Sequence, residues 1–181
     1  MRSLTMDNIL FSSKSNEWYT PIKYIEAVKN VLGVIDCDPA SNAKANEIIQ
    51  AKRYYNIEDN GLYKTWEGKV FLNPPYGKSE EHKLTNQALW TSRLIKSYKE
   101  NITTEAILLV NASTEAKWFK PLWNYPICFT DHRIKFVTPN GISGSQPTKG
   151  SAFIYFGTNI KQFCLSFYKF GVITKQIELK L

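Results

Sequence analysis

The chain has few of the residues from which metal sites and disulfide frameworks are built. Its 181 residues include three cysteines and two histidines. Cys37, Cys128 and Cys164 are isolated, no C-x-x-C spacing occurs, and two of the three lie in apolar runs where a free thiol serves as a small core residue. Because zinc sites need clustered cysteine or histidine ligands, the sequence argues against a metal site.

Long apolar runs are also missing. No segment approaches the roughly 20 apolar residues that a membrane-spanning helix needs. The first residues, MRSLTMDNILFSSKSNEW, contain no continuous apolar stretch of the kind found in signal peptides. With its isolated thiols, the chain is therefore predicted to be a cytoplasmic protein with reduced cysteines and no membrane partner.

Internal repeats, low-complexity tracts and linkers are absent as well. Residues 1–16 are polar and are predicted to form a flexible arm, while residues 17–181 are predicted to form a single domain, long enough to bury a core. Aromatic residues make up 14% of the chain, and this content argues against disorder.

Positive charge is present in excess. The chain has 23 Lys and Arg against 16 Asp and Glu, a net charge of +7, and a pI near 9.2. A basic surface of this kind suits a polyanionic partner, and nucleic acid is the usual one.

Hydrophobic periodicity predicts strands that alternate with helices. Helices are predicted at residues 21–32, 80–99 and from 113 to 122, and strands at 34–37, 69–72, 106–110, 127–130, 134–137 and 151–156. Thr20 is expected to cap the first helix, with Pro21 at its first position. In the second helix, Leu84, Ala88, Leu94 and Ile95 are expected to face inward. The alternation indicates an α/β fold with a largely parallel sheet.

The most informative motif is Asn73-Pro74-Pro75-Tyr76, which ends a short apolar run and precedes Gly77. Two prolines remove two backbone donors and restrict φ, so the chain leaves the sheet stiffly. The Asn73 side-chain oxygen and the Pro74 carbonyl can then face one small cavity, with the Tyr76 ring as a wall. Two acceptors beside an aromatic face suit the exocyclic amine of an adenine turned out of its duplex. The alternative is a stiff turn that contains a tyrosine.

A second polar motif follows another strand. Asp38-Pro39 comes after the apolar run at 34–37, as Asn73-Pro74 comes after the run at 69–72. Ligands of open α/β sheets lie beyond the carboxyl ends of the strands. The two motifs are therefore expected on the same rim of the sheet.

Taken together, the motifs resemble a known family. Trp18-Tyr19-Thr20-Pro21, then DCDPAS, then NPPY follow the order of S-adenosylmethionine-dependent amino methyltransferases. The wider set (NEWYTP, DCDPAS, EDNGL, W-x-G-K-V-F-x-NPPYG, ILLVNASTEAKWF, RIKF) is similar to the small phage-encoded DNA N-6-adenine methyltransferase (Dam-like) family, from about residue 17 to residue 156.

The resemblance implies a Rossmann-like methyltransferase sandwich with helices on both faces of the sheet. It implies S-adenosyl-L-methionine as cofactor, double-stranded DNA with a flipped adenine as substrate, and the host cytoplasm as location if the chain is phage-encoded. The catalytic residues it implies are Asn73, Pro74, Pro75 and Tyr76. The cofactor-binding residues it implies are Trp18, Tyr19, Thr20, Pro21, Asp38, Pro39 and Ala40. Asp59 in EDNGL is a candidate for the cofactor adenine or ribose, or alternatively a plain turn residue.

Two departures from the family pattern bear on the cofactor site. The tract DPASNAKAN lacks the usual Gly-x-Gly, although its small residues can do the same job. The interval between Asp38 and Lys69 looks too short and polar for a normal second strand ending in an acid, so no ribose-binding carboxylate is assigned. The glycine-free loop also leaves open a non-catalytic nucleic-acid-binding protein.

Substrate and DNA contacts are less defined by the sequence. NPPY also occurs in enzymes that methylate RNA adenine or protein glutamine, so these substrates stay open. Segments 78–101 and 138–150 are the expected readers of DNA bases, and Arg133 and Lys149 are candidates for phosphate contacts. The two histidines, His82 and His132, are expected at the surface, and Trp118-Phe119 in the core.

Overall fold

A computed structural model describes residues 18–78, 84–137 and 149–176. The predicted arm at residues 1–16 lies outside the described residues. So do His82, part of the first predicted base-reading segment, and nearly all of the second.

The core of the fold is a seven-stranded sheet. Its strands are β1 (Cys37–Asp38), β2 (Arg53–Tyr54), β3 (Gly68–Leu72), β4 (Thr103–Asn111), β5 (Ile127–Thr130), β6 (Ser151–Phe156) and β7 (Gly171–Thr174). Their order across the sheet is β2-β1-β3-β4-β6-β5-β7. The pairings make β1 to β5 run in one direction and β6 and β7 in the other. The largely parallel sheet is confirmed.

Helices cover both faces of this sheet. They are α1 (Ile22–Leu32), α2 (Ala43–Ile49), α3 (Asn86–Lys99) and α4 (Ile160–Phe167), with 3-10 turns at Gly61–Tyr63, Lys120–Asn124 and Tyr168–Phe170. Residues of α1 and α4 form one buried cluster with the sheet, and residues of α3 and the Lys120–Asn124 turn form another. Because β4 is buried from both sides, its central residues read as one apolar run. The predicted α/β sandwich with helices on both faces of the sheet is confirmed.

The first helix begins differently from the prediction. It starts at Ile22, and Pro21 occupies the N-cap position with an extended backbone (φ −58°, ψ 144°) and no side-chain capping bond. The predicted cap by Thr20 and the placement of Pro21 inside the helix are therefore wrong. The Thr20 hydroxyl instead accepts a hydrogen bond from Asn73, in the loop that follows β3.

The interval between Asp38 and Lys69 also differs from the prediction. It holds α2 and the two-residue strand β2, which pairs in parallel with β1. A second strand thus exists, and it ends at Tyr54 rather than at an acid. Two residues are too few to produce an apolar run, so periodicity could not reveal this strand.

Three further elements were predicted wrongly. Residues 134–137 form no strand, because β7 occupies the position beside β5; the segment makes a single bridge, between Val137 and Tyr19. Residues 113–119 form turns, and the helical structure there is limited to the 3-10 turn Lys120–Asn124. The helix α3 starts at Asn86 with Thr85 as its cap, and Leu84 is 55% exposed instead of facing inward.

Candidate active site

The two proline-containing motifs lie at one edge of the sheet. Strands β1 and β3 are parallel neighbours, with Cys37 opposite Val70. Since both strands run in the same direction, Asp38 and Asn73 stand where their strands end on the same side. The prediction of a shared rim is confirmed, and its basis is a direct hydrogen-bonded strand pair.

Asn73 carries an acceptor without a partner. Its Nδ2 donates to Thr20 Oγ1 at 3.2 Å, whereas its Oδ1 is buried and has no hydrogen-bond partner among the residues that the structure describes. A buried acceptor left unpaired costs about 1–3 kcal/mol. A ligand that donates a hydrogen bond to this oxygen would remove that cost, and because the atom is covered, a neighbouring group must move to admit it.

Tyr76 lies beside this asparagine with its ring mostly enclosed. The ring packs edge-on against Phe136, with 6.1 Å between ring centroids and 73° between planes. Burial raises the pKa of the Tyr76 hydroxyl well above its ordinary value, so the hydroxyl stays neutral. Of the two prolines between these residues, Pro74 is buried and Pro75 is exposed.

The start of α3 holds the far end of the NPPY loop. The backbone N–H of Asn86 donates to the Gly77 carbonyl at 3.0 Å, and its Nδ2 donates to the Tyr76 carbonyl at 3.3 Å. Gly77 has a φ of +91°, a conformation that side chains disfavour. The glycine after NPPY thus lets the chain turn back towards α3.

Phe136 is a site residue that sequence reasoning missed. It is 3% exposed and faces Tyr76 because its segment leaves the sheet after β5 and pairs with the chain before α1. The alternation of buried and exposed residues at 134–136 indicated burial. It gave no indication of the partner, and the segment was read as a strand.

The predicted segment Trp18–Pro21 passes the same rim. Tyr19 exchanges two backbone hydrogen bonds with Val137, at 2.8 and 3.0 Å. Its hydroxyl accepts from Asn42 Nδ2 at 3.3 Å, which ties the segment to the start of α2. Trp18 and Tyr19 also pack against the core under α1. This arrangement brings Thr20 to Asn73.

Asp38 places a carboxyl group in a dry position. The residue is 2% exposed, and Ala40 N–H donates to its Oδ1 at 3.3 Å. Burial raises the pKa of the Asp38 carboxyl to about 7, and the Ala40 N–H and the nearby Ser41 hydroxyl oppose this shift only in part. A cation or a set of hydroxyl donors would satisfy this carboxyl group.

A glycine from another segment compensates for the missing Gly-x-Gly. A Cβ on Gly61 would lie 2.0 Å from the Pro39 carbonyl oxygen and 3.1 Å from the Tyr55 Cβ. The backbone at Gly61 therefore approaches the Asp38–Ala40 loop more closely than any side chain permits. The close approach occurs between two loops and not within one.

Asp59 belongs to the turn that leads to Gly61. Its Oδ2 accepts from Asn56 N–H at 2.9 Å, and Asn56 Oδ1 in turn accepts from Glu58 N–H at 2.8 Å and Asp59 N–H at 2.9 Å. The side chain is exposed. Here Asp59 closes its own turn, and Gly61 places that turn beside the Pro39 loop.

The sequence of the chain matches a known protein family over most of its length. The chain matches the model of the family DNA N-6-adenine-methyltransferase (Dam) over residues 8–175. It belongs to that family. No individual curated protein matches it. The family is one of methyltransferases that act on adenine in DNA, and the match covers the whole rim described above.

The two candidates for phosphate contacts on this Dam-family chain differ in their surroundings. Lys149 Nζ donates to Ser113 Oγ at 3.2 Å and lies 3.9 Å from a Glu115 oxygen, while Arg133 is exposed. Phe119 is fully buried, so its predicted core role is confirmed.

His132 bonds Tyr24 and Asp131, each at 2.6 Å, and its side chain is 39% exposed. It is thus a partly exposed member of a small network between α1 and the segment after β5.

Neither a metal-ligand cluster nor a membrane-spanning helix occurs in the part of the chain that the structure describes. Within residues 18–78, 84–137 and 149–176, no group of three or more His, Cys, Asp or Glu residues could hold a metal ion. In that part of the Dam-family chain, no helix is both long enough and apolar enough to cross a membrane.

Proposed function

We propose that the protein is a site-specific DNA adenine-N6 methyltransferase that uses S-adenosyl-L-methionine and acts on an adenine flipped out of duplex DNA. One observation carries the proposal: the buried, unpaired Oδ1 of Asn73 lies on the same rim as the buried Asp38 carboxyl. The first suits an amine as hydrogen-bond donor, and the second suits a ligand with cationic and hydroxyl groups.

The residues at the rim fit the cofactor. The buried Asp38 carboxyl receives one backbone bond from Ala40, so it has capacity for the ammonium or ribose hydroxyls of S-adenosylmethionine. Trp18, Tyr19, Thr20 and Pro21 would hold the methionine part, and Asp38, Pro39, Ala40 and Asp59 the remainder. When bound, the cofactor supplies an electrophilic methyl group on a sulfonium sulfur.

The NPPY loop would act by orienting the adenine base. Asn73 Oδ1 and the Pro74 carbonyl accept the amine hydrogens of adenine, which keeps the nitrogen lone pair available. Tyr76 stacks on the base and holds it in line. Because an alkylated amine is strongly acidic, its proton leaves without a strong general base, and the chain's contribution is alignment with placed dipoles.

The positive charge of the protein supports DNA as the polymer. A net charge of +7 suits phosphate contacts, which supply affinity without sequence information. Arg133 is exposed and is a candidate for such a contact. A DNA substrate together with free thiols fits a cytoplasmic enzyme, in the host if the gene is phage-encoded.

The decisive experiment is tritium transfer from labelled S-adenosylmethionine to duplex DNA, RNA and protein. We expect transfer to DNA, and Asn73→Ala should reduce turnover by at least ~10²-fold, since a placed hydrogen-bond partner at a reacting centre contributes several kcal/mol. Asn124→Ala, at an exposed asparagine, is the matched control and should keep full activity.

Cofactor binding by calorimetry completes the test. Asn73→Ala should bind S-adenosylmethionine nearly as the wild type does. If tritium were transferred to RNA or protein and not to DNA, the substrate would be RNA or protein. A wild type that binds DNA and not the cofactor would be a nucleic-acid-binding protein on a methyltransferase fold.

A further inference from the structure

The hydroxyl of Thr20 has a use that its position in the sequence does not suggest. A threonine directly before a helix ordinarily caps it, but in this fold Pro21 lies between Thr20 and Ile22, the first residue of α1. Here α1 has no side-chain capping bond, and Thr20 Oγ1 accepts a hydrogen bond from Asn73 Nδ2 at 3.2 Å. The two residues are 53 positions apart, and Thr20 is 6% exposed. The hydroxyl therefore does not cap α1 and instead bonds the loop that carries the NPPY motif.

The backbone on both sides of Thr20 is restrained. Before it, Tyr19 is bonded to Val137 through both its N–H and its carbonyl. After it, Pro21 has its φ restricted by its ring, and its carbonyl accepts from Tyr24 N–H at 3.0 Å. The position of the hydroxyl is therefore determined by the fold and not by a mobile side chain.

A primary amide has a donor end and an acceptor end, and turning it by 180° exchanges them. Chemistry at an amine needs the oxygen of Asn73 directed at the substrate, because an amide nitrogen there would oppose donor to donor. A bond from Nδ2 to Thr20 leaves Oδ1 as the end without a partner, as observed. The amide orientation thus depends on the hydroxyl.

We propose that Thr20 is a positioning residue: it holds the Asn73 amide with Oδ1 available to the target amine. The inference rests on the proposed function and deepens it, because it assigns the segment before α1 a role in the chemical step besides any contact with cofactor. The segment joined to Val137 and the NPPY loop then act as one unit.

The test uses two substitutions that differ in one group. Thr20→Val keeps the shape and removes the hydroxyl, whereas Thr20→Ser keeps the hydroxyl and removes a methyl. With S-adenosylmethionine at saturation, so that a change in cofactor binding does not contribute, we expect Thr20→Val to lower kcat by about 10- to 100-fold, the range typical of lost outer contacts to a reacting group. Thr20→Ser should retain most of the wild-type kcat.

A double-mutant cycle separates positioning from independent effects. In an Asn73→Ala background there is no amide to orient, so Thr20→Val should cause little further loss of kcat. Circular dichroism and thermal unfolding of Thr20→Val report whether the fold is retained.

Three results would overturn the role of Thr20. They are an unchanged kcat with a weakened cofactor Kd in Thr20→Val, equal losses in Thr20→Val and Thr20→Ser, and a full additional loss in the Asn73→Ala background. Wild-type transfer to duplex DNA is measured first. Its absence would overturn the proposed function together with this inference, whereas an active wild type with any of the three results overturns the inference alone.

Discussion

Asp38 is a residue whose charge is unfavourable in the folded protein. Burial raises the pKa of its carboxyl from 3.8 to about 7. Below about pH 4 the carboxyl is protonated in the folded and unfolded states, and no stability difference arises. As pH rises from about 4 to about 7, the unfolded state ionises first, so the folded state loses stability. A ligand that satisfies the carboxylate would offset this loss.

We therefore predict opposite effects of Asp38→Asn on stability and on binding. At pH 8 the ligand-free variant should unfold at a temperature equal to or above that of the wild type, and its stability should vary less between pH 4 and pH 8. Its affinity for S-adenosylmethionine should fall. Thermal unfolding across pH and calorimetry measure these two quantities. Glu26→Gln, at an exposed carboxyl of α1, serves as the control for a plain charge change.

If Asp38→Asn were less stable than the wild type at pH 8 and its stability still depended on pH as in the wild type, a group other than Asp38 would cause that dependence. If the affinity of Asp38→Asn for the cofactor were unchanged, the cofactor would not bind at Asp38.

Tyr76 is predicted to act through its ring face. Its hydroxyl stays neutral, and the ring packs on Phe136, so Tyr76→Phe should keep much of the activity. Tyr76→Ala should lose most of it, because stacking on a base contributes about 1–3 kcal/mol. Methyl transfer to duplex DNA by the two variants is the measurement. Equal inactivity of both would assign the role to the hydroxyl.

At the scale of elements, the rim depends on loops that meet at close range. Strands β1 and β3 bring their loops to one edge by direct pairing. The turn after β2 reaches the Pro39 loop through Gly61, where no side chain has room. The proposed cofactor site therefore lies at two adjacent connections, and we expect its shape to depend on their separation.

Gly61→Ala tests this contact. The added Cβ would meet the Pro39 carbonyl oxygen at 2.0 Å, so the loops must separate, at a cost of about 1–3 kcal/mol in stability. Cofactor affinity should weaken, while turnover at saturating cofactor should change less. Thermal unfolding and calorimetry report both.

Gly150→Ala is the matched control for Gly61→Ala. Its added Cβ would lie 3.8 Å from the Ala112 Cβ, an ordinary contact. If the two variants behaved alike, the close approach at Pro39 would have no bearing on the cofactor site.

At the scale of the whole molecule, we expect the net positive charge to serve DNA binding and the buried site at Asp38 to serve cofactor binding. DNA affinity should fall steeply with salt, with a log–log slope of roughly −0.9 per phosphate neutralised. Cofactor affinity should respond far less, because Asp38 is buried and screening acts mainly on exposed charges. Asp38→Asn should leave the DNA slope unchanged. Titration of each ligand across ionic strength measures the difference, and a flat response for DNA would indicate a protein substrate.

Much of the molecule could be predicted from local patterns. The apolar run within β4 indicated a strand buried on both faces, and the run before Asn73 indicated β3. The order of the motifs indicated the methyltransferase family, and two motifs at strand ends indicated one rim. Each of these rests on neighbouring residues in the chain, which report burial and backbone conformation directly.

Only the tertiary structure decided which groups meet. The sequence indicated that Thr20 caps a helix and that residues 134–137 form a strand. It also indicated that the loop after β1 lacks the usual Gly-x-Gly. In the fold, Thr20 bonds Asn73, Phe136 packs on Tyr76, and Gly61 supplies the close approach. Hydrophobic periodicity shows that a residue is buried and gives no information about its partner, because partners distant in the chain are chosen by the packing of whole elements.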